Sequence, residues 1–327
     1  MPLKISGGEM ELRHFRAAVG SICDQTDSDW ILVLVDDYSD DKRVYDVIDE
    51  MKAELKDKLH VIYSDKNYGT GKARNKGVLY AAEVGAPFIL FLDADDLADP
   101  RRLELVRKAF EDETVNVVYT SFDVIDENSE VVPHDEITLT VREIIDGHKV
   151  DVVEGENSWI SIAMKKKYTN LTSCTAVRTS LAATELFPPL SVSEDCHTWL
   201  RYAAHPGKFV FLPEIKGGYR ICRGVASRSR SLNADFYERL FQTDIDGFES
   251  AAKIAEKYGT TGGYDVNEIR AAFHVRLALN LMHGNSEAFC RRSLAKAWDI
   301  SKDWTLKYID LMPCLPEEKK QLKDMLP

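Results

Sequence analysis

Apolar positions along this chain follow two alternating rhythms. Leu12, Phe15, Val19 and Ile22 recur at three- and four-residue intervals, which predicts a helix over 10–23 with one apolar face. Trp30 to Val35 is a continuous apolar run that stops at Asp36-Asp37-Tyr38-Ser39, the pattern of a buried strand entering a turn. Val44, Val47, Ile48, Met51 and Leu55 mark the next helix, Leu59 to Tyr63 a short strand, and 71–84 a further helix. Phe88 to Leu92 reads as another buried strand, followed by a helical stripe at Leu103, Val106 and Phe110 and a strand from Val115 to Thr120. Strands that alternate with helices imply βαβ units and a mostly parallel sheet. Residues 1–125 therefore read as a doubly wound, nucleotide-binding half.

The pattern changes twice downstream. Residues 126–231 are mixed, with short apolar runs such as Phe209-Val210-Phe211-Leu212 between Gly, Pro and polar turns. Residues 232–327 read as helical, through Phe236, Leu240, Ile245, Phe248 and Ile254 and then Ile269 to Met282, with Gly262-Gly263 between. A second, catalytic half is expected at 126–231 and a helical region at 232–327 that serves packing or homo-oligomer contact. No internal repeat or low-complexity segment is present.

Composition narrows the class. The formal net charge of −12 argues against nucleic acid as a partner, because the phosphate backbone selects basic surfaces. No apolar run approaches the ~18 residues that suggest a membrane span, and the first residues show no secretory h-region. The six cysteines are widely spaced with no C-x-x-C, which suits reduced thiols and a cytoplasmic setting. Peripheral membrane contact stays open.

Five constellations carry candidate chemistry. At the end of the 88–92 strand stand Asp93-Ala94-Asp95-Asp96, where α/β sheets bind ligands. Carboxylates this close repel one another, and Mg²⁺ or Mn²⁺ would relieve the repulsion while binding a substrate phosphate. Alone, the tripeptide reads sooner as an acidic, solvated turn before Asp99-Pro100, and the surrounding blocks reverse that. Asp36-Asp37 could accept from a base or ribose, or simply cap its own turn. Asn67-Tyr68-Gly69-Thr70-Gly71 leads into a helix whose start holds Lys72, Arg74 and Lys76, a phosphate-friendly arrangement or a solvated basic face. Glu194-Asp195 opens another helix, as a general base or as a cap, and His197 beside it reads as structural. Arg220, Arg223, Arg228 and Arg230 crowd one short stretch, a basic loop or a lid whose forks grip diphosphate oxygens.

The order of these blocks resembles glycosyltransferase family 2. The matching pieces are V-D-D-x-S, N-x-G-x-x-x-A-R-N-x-G, F-L-D-A-D-D, S-E-D-x-x-x-W-L-R and Y-R, over roughly residues 10–231. The resemblance implies a GT-A fold, Rossmann-like and flanked by helices, with a helical C-terminal extension. It implies a nucleotide-sugar donor and a carbohydrate or glycolipid acceptor. Asp37 would contact the base and Arg74 would lie near the donor. Asp95 and Asp96 would hold the ribose and the metal-bound diphosphate, supported by Asp93, and Arg220 and Arg223 would reach the nucleotide sugar. Asp195 would be the catalytic base, with Glu194 beside it.

The chain departs from the family pattern at three points. Leu3-Lys4-Ile5-Ser6-Gly7-Gly8 replaces the usual strand ending in P-x-Y-N, so the expected aromatic partner of the base is missing. Cys222 stands where many relatives have a His, and a thiol is a poor ligand for a hard cation. No Q-x-x-R-W follows Asp195, which disfavours a processive synthase. The expected activity is thus non-processive, inverting transfer from a UDP-sugar. The rival readings are a sugar nucleotidyltransferase and a non-catalytic sugar-nucleotide-binding protein.

Overall fold

The computed structural model describes residues 1–166, 169–222 and 235–327. In chain order the elements open with β1 (Pro2–Leu3), α1 (Glu9–Cys23), β2 (Leu32–Asp36), α2 (Arg43–Leu55), β3 (Leu59–Tyr63), α3 (Thr70–Glu83) and β4 (Phe88–Leu90). Then come α4 (Arg102–Ala109), β5 (Val115–Ile125), α5 (Leu139–Val150), α6 (Ser158–Met164), β6 (Thr175–Arg178), α7 (Thr179–Thr184), α8 (Glu194–Ala204) and β7 (Lys208–Arg220). Five helices close the chain: α9 (Phe236–Tyr258), α10 (Val266–His283), α11 (Glu287–Ile300), α12 (Lys302–Leu311) and α13 (Pro316–Asp324).

These elements form two compact units, each drawn from three stretches of chain. The first holds residues 1–154, 169–191 and 209–222. Its strands form two sheets, ordered β1-β2-β3 and β4-β6-β5-β7. The first sheet is parallel, with β2 and β3 in register from Leu32↔Leu59 to Asp36↔Tyr63. It is covered by α1 and α2, whose Phe15, Val44 and Ile48 bury themselves against Leu34. Removing that apolar area from water is the main stabilising term.

The second sheet departs from the parallel expectation. β6 pairs antiparallel with both β4 and β5, through Ile89↔Val177 and Val118↔Ala176. An apolar run encodes burial on both faces but not strand direction.

The second unit holds residues 155–166, 192–208 and 235–327 and is helical. Trp159 of α6 is fully buried, and its Nε1–H donates to the Thr260 carbonyl at 2.7 Å. Phe248 of α9 stacks on Phe273 of α10 with centroids 4.4 Å apart. Arg276 Nε donates to the Ala163 carbonyl and the Tyr308 hydroxyl to the Met164 carbonyl, so the C-terminal helices clasp α6. No helix among the described residues is long and apolar enough to cross a membrane.

Candidate active site

In the first unit, the carboxyl ends of β2 and β4 carry the acidic residues singled out above. Asp36, the last residue of β2, is 1% exposed and turned inward. Its Oδ1 accepts from the Ser39 N–H and hydroxyl, and its Oδ2 from the Tyr45 hydroxyl at 3.2 Å. Asp37 reaches across to the glycine loop instead. It accepts from the Tyr68 N–H at 2.9 Å and the Gly69 N–H at 2.7 Å. Gly69 sits at φ +88°, a backbone that L side chains rarely adopt, and caps α3. In this structure the Asp37 carboxylate therefore joins two loops, whereas the resemblance implies a contact with the nucleotide base.

The cations of α3 divide by burial. Arg74 is 6% exposed and donates its Nη2 to both oxygens of Asp93, at 2.9 and 3.0 Å. Its guanidinium also lies over the Phe187 ring, 5.4 Å from the centroid. Lys72 and Lys76 gather instead around the Tyr68 ring, with Lys66, at 5.6, 4.7 and 5.1 Å.

The acidic turn is held from several sides. The Asp93 N–H donates to Ser173 Oγ at 3.0 Å, and the Ser173 hydroxyl in turn donates to Asp96 Oδ2 at 2.5 Å. Asp96 Oδ1 accepts from the Arg220 N–H at 2.8 Å. Asp96 is buried and Asp95 exposed. Burial raises the Asp96 pKa well above the carboxylate range, with further upward pushes from Asp95 and Asp93. The Ser173 hydroxyl and Arg220 N–H pull the other way.

Arg220 is a clamp on this turn. Its Nε donates to the Asp95 carbonyl at 2.7 Å, its Nη1 to the Asp126 carbonyl and its Nη2 to Ser129 Oγ at 2.9 Å. The guanidinium that the motif suggests for a nucleotide sugar is thus bonded to protein. Arg223, Arg228 and Arg230 lie outside the described residues. Burial and the nearby Glu127 raise the Cys222 thiol's pKa, so it is mostly protonated at neutral pH.

Among the described residues, no three His, Cys, Asp or Glu side chains form a ready metal cage. The turn offers the exposed carboxylate of Asp95, and Asp96 behind it would exchange its bond to Ser173 or Arg220 to reach an ion. That donor set fits Mg²⁺ or Mn²⁺, which commonly take one or two carboxylates and leave other positions to water and phosphate.

In the second unit, Glu194 and Asp195 form the first turn of α8 and are half-buried. Ser193 before them is in the left-handed region at φ +60°. His197 is buried, and its Nε2–H reaches Asp246 Oδ2 at 3.0 Å while Nδ1 accepts from Arg201 Nε at 3.1 Å. Both ring nitrogens are used within the helix packing, as a structural His requires. Ser173 and Phe187 had no signal in the sequence, because a lone Ser and a lone Phe match no motif.

Residues 11–177 match the family described as Glycosyl transferase family 2. The chain belongs to that family. A family relative in Nostoc sp., named an uncharacterized glycosyltransferase, is 36% identical over 120 residues, 37% of this chain and 36% of the relative. Escherichia coli UDP-Glc:alpha-D-GlcNAc-diphosphoundecaprenol beta-1,3-glucosyltransferase WfgD is 28% identical over 113 residues, 35% of this chain and 42% of that protein. The match thus spans less than half the length of either. Among solved structures, S. aureus TarS 1–349 aligns with a TM-score of 0.60 at 17% identity, over 99% of this chain and 85% of that one. The mannosyltransferase PcManGT from Pyrobaculum calidifontis, in complex with GDP-Man and Mn²⁺, gives 0.53 at 16% identity, over 99% of this chain and 77% of that one. Such identities speak to fold alone, and the fold is the GT-A fold that the motifs imply.

Proposed function

We propose that this chain is a non-processive, inverting glycosyltransferase that uses a nucleotide-diphosphate sugar, with UDP as the expected nucleotide. The observation that carries this reading is the acidic turn after β4, where Asp93, Asp95 and Asp96 are fixed by Arg74, Ser173 and Arg220. A divalent cation, Mn²⁺ or Mg²⁺, would be held by Asp95 and Asp96. When bound it would neutralise charge on the departing diphosphate. Arg74, oriented by Asp93, would lie beside the donor.

Asp195 acts as the general base in this scheme, with Glu194 beside it. The acceptor oxygen bonds to the anomeric carbon as the bond to the diphosphate oxygen breaks, and the hydroxyl proton passes to Asp195. Attack from the face opposite the leaving group inverts the centre. A carbohydrate or glycolipid acceptor is supported by the lipid-diphosphate substrate in WfgD's name. A peripheral approach to a membrane would accompany a glycolipid acceptor, and a homo-oligomer through the C-terminal helices completes the proposal.

The test is Asp195→Asn. Nucleotide binding, read as a rise in melting temperature with UDP and Mn²⁺, should persist. Sugar transfer should fall by ~10²-fold or more, since general-base help is worth ~10²–10⁴. Transfer at the parental rate would remove Asp195 from the mechanism.

A further inference from the structure

Next to the acidic turn lies a cation that the proposed chemistry does not use. Arg102, the first residue of α4, is 2% exposed. Its Nη1 donates to the Phe91 carbonyl at 2.9 Å and its Nη2 to the Thr175 carbonyl at 3.0 Å. Its Nε meets no partner, and among the described residues no carboxylate pairs with it. A buried, unpaired charge is costly. Burial lowers its pKa to about 10, which leaves it protonated at neutral pH.

The two carbonyls it grips explain the placement. Phe91 leads into Asp93, two residues on, and Thr175 follows Ser173, whose hydroxyl holds both the Asp93 N–H and Asp96. The segments already meet through the Phe91 N–H, which donates to the same Thr175 carbonyl at 3.0 Å, and the Arg102 fork braces that junction from α4. We propose that Arg102 is the positioning residue of the divalent-cation site, holding the 91–96 and 173–175 segments at one spacing so that Asp95 and Asp96 share an ion. The inference rests on the reading of this turn as a cation site. A planar, always-charged fork does this in a way that Lys cannot reproduce.

The experiment is direct Mn²⁺ binding to the metal-free protein, read by electron paramagnetic resonance. Wild type, Arg102→Met, Arg102→Lys, Val106→Ala and Asp95→Asn are compared. Val106 is fully buried on α4 and touches neither segment by hydrogen bond, so it reports packing loss alone. Arg102→Met should bind Mn²⁺ ~10- to 100-fold more weakly, the usual cost of losing a support behind a metal ligand. Arg102→Lys should fall between it and wild type, and Val106→Ala should lose melting temperature but keep its Mn²⁺ affinity. If Arg102→Met does not fold, Arg102→Lys at unchanged helix content carries the test. Wild-type affinity in the Arg102 variants, or an equal loss in Val106→Ala, would overturn the proposal while leaving the cation site intact. No Mn²⁺ uptake by wild type, or full uptake by Asp95→Asn, would instead overturn the site itself and the proposal with it.

Discussion

Asp96 has both oxygens engaged, by the Ser173 hydroxyl and the Arg220 N–H, and Asp93 and Asp95 close by. Burial and like charge raise its folded pKa above that of the unfolded chain. The folded state therefore favours the protonated form. Its contribution to stability is full below the ordinary carboxylate range and is lost as pH rises through the raised value. Without divalent ions, the stability of wild type relative to Asp96→Asn should decline with rising pH, by at most ~1.4 kcal/mol per unit. Urea unfolding of both proteins between about pH 4 and 8 in a chelator measures it. A flat difference would mean that the carboxyl titrates normally. At this scale the sequence named the acidic residues, because carboxylate spacing is visible in one dimension. It could not separate exposed Asp95 from buried Asp96, because burial depends on where Ser173 and Arg220 arrive.

The helix α3 shows how an element inherits its site role from its ends. Its N-terminus is capped by backbone rather than by a side chain, with Gly69 at φ +88° and its N–H on Asp37. No atom lies within 4 Å of a Cβ placed there, so Gly69→Ala would introduce strain alone. That strain should cost roughly 1–3 kcal/mol, seen as a lower urea midpoint with unchanged slope. The Gly-rich loop was legible because only glycine tolerates such backbone. The latch to Asp37 was not, since the loop lies about thirty residues downstream and nothing in either segment names the other. Strand lengths follow the same logic. Leu59 to Tyr63 matched its strand, whereas β7 runs from Lys208 to Arg220, far beyond the apolar run at 209–212. A run reports two-faced burial. The later residues of β7 alternate toward solvent and lose that signal.

At the scale of the whole molecule, the second unit depends on contacts between distant segments. Trp159, far from α9 to α13 in sequence, is fully buried within the unit and bonded to Thr260. Trp159→Ala should cost about 3–5 kcal/mol, the range for deleting a large buried aromatic. Chemical unfolding followed by far-UV dichroism checks this, and a loss under about 1 kcal/mol would mean that the site collapses without a cavity.

What the sequence determined alone was local: the alternation of helices and strands, and the family blocks from Asp36-Asp37 to Glu194-Asp195. These survive in one dimension because periodicity, turn chemistry and charge spacing act over a few residues. Tertiary structure alone decided that β6 runs antiparallel, that Asp37 serves a loop, that Arg220 clamps a turn and that Arg102 grips the Phe91 and Thr175 carbonyls. Each of those outcomes pairs a buried polar group with a partner brought in from elsewhere in the chain. Such a group must find a partner once water is removed, and only folding determines which one is within reach.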